Sequence, residues 1–355
     1  MAPTSSTLLF LDGGLGTSLE DKYGVRFDHD TPLWSSHLLV SDQDTLRACQ
    51  HDFGRIPVDI ILTATYQVSI EGFARTKTPD HPDGIAKPDI PPYLDCAVSI
   101  AEQVKSPSAS IALSLGPYGA CMIPSQEYSG QYDAGHNSAE QLRGWHLDRI
   151  HMFDQIGDLH NRINFLAFET VPRLDEIRAI RSLFAPSTSS SLEASSILRK
   201  IIPYWISCVF PGTDYTLPDG STIDQVIDAL LAQDVPGQLP WGIGINCTQV
   251  AKLPELIRRY QSSVSRLVNA GRLETWPSLL LYPDGTNGEV YDTTTKTWRQ
   301  PENRTVPTAP WERQLAEIVA NTLDMRCWRT VVVGGCCKAT HADISKLRST
   351  ILHIG

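Results

Sequence analysis

The chain has 355 residues, 41% of them hydrophobic and 20% charged, a balance that fits a soluble globular enzyme and excludes fibrous structure and extended disorder. With 40 acidic against 30 basic residues, the formal charge of −10 repels phosphate backbones, and no basic cluster offsets it locally. Neither nucleic acid nor membrane is expected as a partner. The N-terminus lacks a basic region ahead of a long apolar run, and no later stretch reaches about eighteen uninterrupted apolar residues, so a cytoplasmic protein is expected.

Short apolar runs recur at residues 8–11, 60–62, 110–115, 164–168, 204–209, 242–245, 279–282 and 330–333. Helix-like stretches lie between several of them, at 138–161, 174–184, 222–233, 250–270 and 309–325. Strands that alternate with helices form parallel βαβ units, and continuous apolar runs are what strands buried on both faces require. The expected fold is a single α/β domain over 1–355, a (β/α)8 barrel with loop insertions; a doubly wound open sheet shares the alternating pattern and is the competing architecture. Residues 76–92, rich in Pro and Asp, and 186–196, rich in Ser, read as surface insertions, while 211–220 and 283–303 read as further loops.

The first strand runs into Leu11-Asp12-Gly13-Gly14-Leu15-Gly16-Thr17. A carboxylate beside flexible backbone suits a substrate ammonium, with backbone amides left for a substrate carboxylate. The glycine spacing is not that of a dinucleotide-phosphate loop. The fourth strand ends in Ala167-Phe168-Glu169-Thr170, a second carboxylate at the same end, for which a helix-capping or surface role is the alternative.

The sixth strand ends in Gly244-Ile245-Asn246-Cys247-Thr248 and the eighth in Gly334-Gly335-Cys336-Cys337. In a barrel the C-terminal strand ends converge, so the sulfurs of Cys247, Cys336 and Cys337 are expected to meet at the mouth. Zn2+ favours thiolates, and three protein ligands leave a fourth position for a substrate thiol, which coordination would deprotonate. The alternative makes these cysteines buried apolar residues, or makes the adjacent pair oxidisable. Cys49, Cys96, Cys121, Cys208 and Cys327 lack a strand-end setting and are read as structural.

Together these segments resemble the homocysteine S-methyltransferase family, a zinc-dependent group within the wider set of barrels that includes betaine-homocysteine methyltransferases. The resemblance is carried by residues 11–17, 32–35, 63–67, 116–119, 168–172, 244–248 and 334–337, in the family's order. It implies Cys247, Cys336 and Cys337 as zinc ligands and homocysteine as the thiol substrate. It further implies substrate recognition by Asp12, Gly13, Thr65, Tyr66, Gln67, Glu169 and Asn246. Residues 63–67 and 116–119 resemble the branch that uses S-methylmethionine or S-adenosylmethionine more than the betaine branch. Trp34, Tyr66 and Tyr118 are the aromatics considered for a cation-π contact with a sulfonium donor, with core packing as their alternative role.

After Cys337 the family continues with a basic residue and then a proline and histidine, whereas this chain reads Lys338-Ala339-Thr340-His341-Ala342-Asp343. Two rivals accompany the reading: methylation of another thiol or selenol such as selenocysteine, and a non-catalytic barrel whose cysteines hold structural zinc or sense redox state.

Overall fold

The computed structural model describes residues 6–28, 30–185, 195–200, 202–286, 288–292, 297–299 and 309–354. Its strands are β1 (Thr7–Phe10), β2 (Ile60–Leu62), β3 (Ser110–Leu115), β4 (Phe165–Val171) and β5 (Tyr204–Cys208), then β6 (Gly242–Asn246), β7 (Ser278–Tyr282), β8 (Val290–Asp292), β9 (Thr297–Arg299) and β10 (Thr330–Val333). Eight of them form one sheet in the order β1-β10-β7-β6-β5-β4-β3-β2, and its named pairings are parallel. A parallel bridge between Leu11 and Ile60 joins the two edges. The sheet is therefore a barrel and not the open doubly wound alternative.

Strand burial follows from this closure. Leu279, Leu281, Val331 and Val333 belong to the large apolar cluster under the helices, while Leu280, Tyr282 and Val332 point the other way, into a smaller cluster with Leu11, Ala112 and Trp205. Both faces need apolar side chains, which is why the strands read as unbroken runs. Gly244 makes room in this crowded interior, since a Cβ there would lie 2.1 Å from Ser207 Oγ.

Helices cover the outside, and four of the five expected stretches are recognisable with trimmed ends. The fifth, 138–161, divides into Ala139–Phe153 and Leu159–Arg162, with Asp158 at φ 54°, a left-handed conformation that does not continue a helix. The helix expected over 250–270 starts as a 3₁₀ turn and becomes Leu253–Asn269, with Pro254 in its first turn, where a missing N–H leaves nothing unpaired.

The loop expected over 283–303 contains the antiparallel β8–β9 hairpin. The insertion over 76–92 runs into the helix Pro91–Val104. Of the insertion over 186–196, residues 186–194 lie outside the described residues. Among the described residues no helix is long and apolar enough to cross a membrane.

Candidate active site at the barrel mouth

The C-terminal strand ends converge as the barrel requires. Asp12, Glu169, Asn246, Cys247, Cys336 and Cys337 all line one cavity. The loops after β1 and β10 interlock tightly there. Gly335 N donates to Asp12 O at 3.0 Å, and Gly14 N donates to Ala339 O at 2.9 Å. A Cβ on Gly14 would lie 2.4 Å from Cys336 O, and one on Gly334 would lie 2.7 Å from Asp12 O. The double glycines in both motifs are therefore a requirement of close backbone approach.

The ligand atoms of Cys247, Cys336 and Cys337 lie within 4.8 Å of one another, the only such group found among the described residues. Backbone bonds aim them: Cys336 N donates to Pro283 O at 2.8 Å, and Gly285 N donates to Cys337 O at 2.7 Å. Cys247 adopts φ 45°, a left-handed turn at the end of β6. Cys247 and Cys336 are joined in a disulfide, so the oxidised pair spans two strands and is not the adjacent pair considered from the sequence. Desolvation pushes the Cys337 thiol up to about 12.

The three sulfurs fit a thiophilic metal once the disulfide has taken up two electrons, because three converging thiolates form a tetrahedral donor set with one position open. Cys49, Cys96, Cys121, Cys208 and Cys327 are free and none lines the cavity.

Both carboxylates are buried. Asp12 is 5% exposed; its Oδ2 accepts from Leu62 N at 2.8 Å, and its Oδ1 has no partner among the described residues. Burial, with a smaller contribution from the nearby charge of Glu169, raises its pKa well above the usual carboxylate range. Glu169 is 4% exposed and accepts from Ser114 Oγ at 2.5 Å, and burial pushes it up to about 7. It sits where β4 shifts register against β5, next to Thr170 at φ 60°. That irregularity re-aims the strand end, as bulges beside active sites commonly do. A surface or capping role for Glu169 does not fit this burial.

The other expected residues divide. Gly13 and Tyr66 line the cavity, and Tyr66 meets Trp34 edge-on with ring centroids 6.4 Å apart. Thr65 does not line it: the side chain is fully buried and donates to Ser114 O at 2.7 Å. Gln67 borders a neighbouring outer chamber instead. Asn246 lines the cavity with its amide engaged by Thr170. Tyr118 lies outside both spaces, stacked on His136 at 3.9 Å and bonded to Asp133, which removes it from the aromatics that could face a donor.

Sequence reasoning missed Gln50, Glu127, Tyr128 and Tyr282, all of which line the cavity. Gln50 Nε2 donates to Leu62 O at 2.9 Å, while Oε1 has no partner among the described residues. Gln50 sits within the helix Gln43–Gly54 and carried no sequence signal. Glu127 and Tyr128 follow the Gly116-Pro117-Tyr118-Gly119 segment, and an adjacent acidic and aromatic pair there was the one available hint.

A family model described as homocysteine S-methyltransferase matches residues 9–351. The homocysteine S-methyltransferase YbgG of Bacillus subtilis (strain 168) is 26% identical over 358 residues, covering 96% of this chain and 93% of that protein. The homocysteine S-methyltransferase of Escherichia coli (strain K12) is 28% identical over 352 residues, covering 96% and 94%. The crystal structure of the metallated form of the homocysteine methyltransferase MmuM from Escherichia coli superposes with a TM-score of 0.64 at 23% identity, covering 97% of this chain and 96% of that one, a likeness of fold.

Proposed function

The chain belongs to the homocysteine S-methyltransferase family, and on that premise we propose that it transfers a methyl group from a sulfonium donor, S-methylmethionine or S-adenosylmethionine, to the thiol of homocysteine, giving methionine. The observation that carries the reading is the meeting in one cavity of three cysteine sulfurs with the buried carboxylates Asp12 and Glu169.

Homocysteine offers a thiol, an ammonium and a carboxylate. The ammonium suits Asp12 Oδ1 and Gln50 Oε1, buried acceptors without partners among the described residues, with Glu169 supplying further negative charge. The carboxylate suits the first turn of the helix Leu15–Tyr23, which borders the cavity through Leu15, Gly16 and Thr17 and points unpaired N–H groups and a positive dipole end outward. Cys247, Cys336 and Cys337, reduced, would hold Zn2+, which when bound supplies a substrate thiolate at neutral pH.

The thiol proton passes to solvent, sulfur bonds to the methyl carbon, and the donor's C–S bond breaks with its electron pair kept on the donor sulfur as a neutral thioether. The protein's share is alignment of sulfur and methyl group. The sulfonium preference rests on the likeness of residues 63–67 and 116–119 to that branch. Residues 1–355 act as one homocysteine-binding domain in this reading.

The test supplies reduced, zinc-loaded protein with homocysteine and, in turn, S-methylmethionine, S-adenosylmethionine and betaine, and measures methionine by mass spectrometry. Methionine from either sulfonium supports the reading; methionine from betaine alone, or from none of the three, overturns it.

A further inference from the structure

Outward from the sulfurs the site opens into a second chamber. Cys337, Thr17, Trp34, Glu127 and Tyr128 border both spaces. Behind the inner cavity the barrel is packed with Trp205, Leu280 and Val332, so a methyl group approaches the sulfurs from the mouth side, where the shared border leads directly to Cys337.

Glu127 is only 6% exposed, yet its Oε2 has no hydrogen-bond partner among the described residues. Buried glutamates with a structural role look different. Glu176, fully buried in the same half of the barrel, takes hydrogen bonds from Tyr118 N at 2.7 Å and the Tyr132 hydroxyl at 2.5 Å, and lies 2.9 Å from His146 Nε2. Burial pushes Glu127 up to about 7, opposed only in part by hydrogen bonding from its own backbone and Ser125, an energetic cost that a bound cation would offset. The surroundings suit a cation: the aromatic rings of Trp34, Tyr128 and Trp298 border the outer chamber, Glu20 adds a second carboxylate, and among the described residues the ammonium over the Trp298 ring, that of Lys338, is paired with Asp21.

We infer that Glu127 selects the methyl donor, meeting its sulfonium centre at the border between the two spaces while the outer chamber takes the rest of the molecule. The inference rests on the methyl-transfer reading above. It favours a donor of net positive charge over a betaine, which is neutral overall and gains less from a space bordered by two glutamates. The sulfonium loses its charge as the methyl leaves, so Glu127 stabilises the donor complex more than the transition state. Its removal should raise the donor's KM more than it lowers kcat.

Calorimetric titration of zinc-loaded protein with S-methylmethionine alone, without an acceptor, tests the inference directly. Glu127→Gln is expected to weaken that binding by roughly ten- to a hundred-fold, the loss of one buried charge-assisted contact, with homocysteine affinity unchanged in a separate titration. Glu127→Asp, which keeps the charge but withdraws it from the border, should weaken binding less and serves if the Gln variant folds poorly. Wild-type donor affinity in both variants, or equal weakening of donor and homocysteine, overturns the inference, as does wild-type protein that binds no S-methylmethionine. If wild type binds S-methylmethionine in a Glu127-dependent way but forms methionine from neither sulfonium with homocysteine, the transfer reading falls and the binding role of Glu127 stands.

Discussion

Asn246 holds Thr170 by both ends of its amide: Thr170 N donates to Asn246 Oδ1 at 2.8 Å, and Asn246 Nδ2 donates to Thr170 Oγ1 at 2.7 Å. Thr170 is in the left-handed region at φ 60°, which a β-branched residue rarely enters, so the clamp from β6 offsets a strained turn in β4. The residue so fixed adjoins Glu169, and Asn246 itself adjoins Cys247. Asn246→Ala leaves a buried N–H unpaired and should lower stability by about 2 kcal/mol. It should also weaken homocysteine binding, whereas Asn246→Asp, which keeps the acceptor, should recover part of the stability. Urea unfolding of the three proteins checks the order.

Arg149 anchors two other strand ends. Its guanidinium donates to Gly116 O at 2.6 Å, Tyr66 O at 2.6 Å and Thr65 O at 3.1 Å, and its side chain is 2% exposed. Tyr66 borders the cavity, so Arg149 fixes the wall on the β2 side. Arg149→Met leaves these carbonyls without their donor and should destabilise the protein by about 3 kcal/mol. Arg149→Lys, with a point charge in place of a planar fork, should recover only part of that. Thermal unfolding of both variants is the measurement; a Met variant as stable as wild type would remove Arg149 from this role.

Glu169 should make stability depend on pH. Its folded pKa of about 7 lies above the ordinary 4.5, so the folded state binds the proton more tightly than the unfolded chain does. The contribution is fully present below about 4.5 and is lost as pH rises through about 7, amounting to on the order of 3 kcal/mol. Ligand-free wild type should therefore lose stability relative to Glu169→Gln between pH 5 and 8. Homocysteine should reduce that loss, since its ammonium favours the ionised carboxylate. Denaturant midpoints of both proteins across this range, with and without homocysteine, decide it; parallel curves would mean that Glu169 titrates as an ordinary carboxylate.

The cysteine assignment is tested by metal content. Cys247→Ser, Cys336→Ser and Cys337→Ser should each remove most zinc from reduced protein, because hydroxyl oxygen is a poor substitute for thiolate, while Cys49→Ser and Cys327→Ser should keep it. Wild type with Cys247 and Cys336 disulfide-bonded should take up zinc only after reduction. Equal zinc loss in all five variants would point to general destabilisation instead of ligation.

The sequence by itself determined the eight buried parallel strands and the strand-end placement of the three cysteines, while closure into a barrel was decided by the bridge between Leu11 and Ile60. Unbroken apolar runs such as 330–333 arise only where a strand is buried on both faces, and Gly334-Gly335 ahead of Cys336 marks a backbone that passes within contact of its neighbour, here Asp12 O. These are local consequences of a global constraint, so they can be read along the chain. Asp12 and Glu169 were legible for the same reason, as carboxylates at strand ends.

Only the tertiary structure decided what surrounds them. Thr65 and Asn246 sit in motifs that reach the pocket, yet their polar atoms bond to Ser114 and Thr170, residues 49 and 76 positions away. Glu127 and Gln50 belong to a loop and a helix with no outward mark of function, and each matters because one buried oxygen finds no partner. Whether a polar atom is satisfied depends on groups brought together across the barrel, and periodicity and spacing carry no information about such distant pairings.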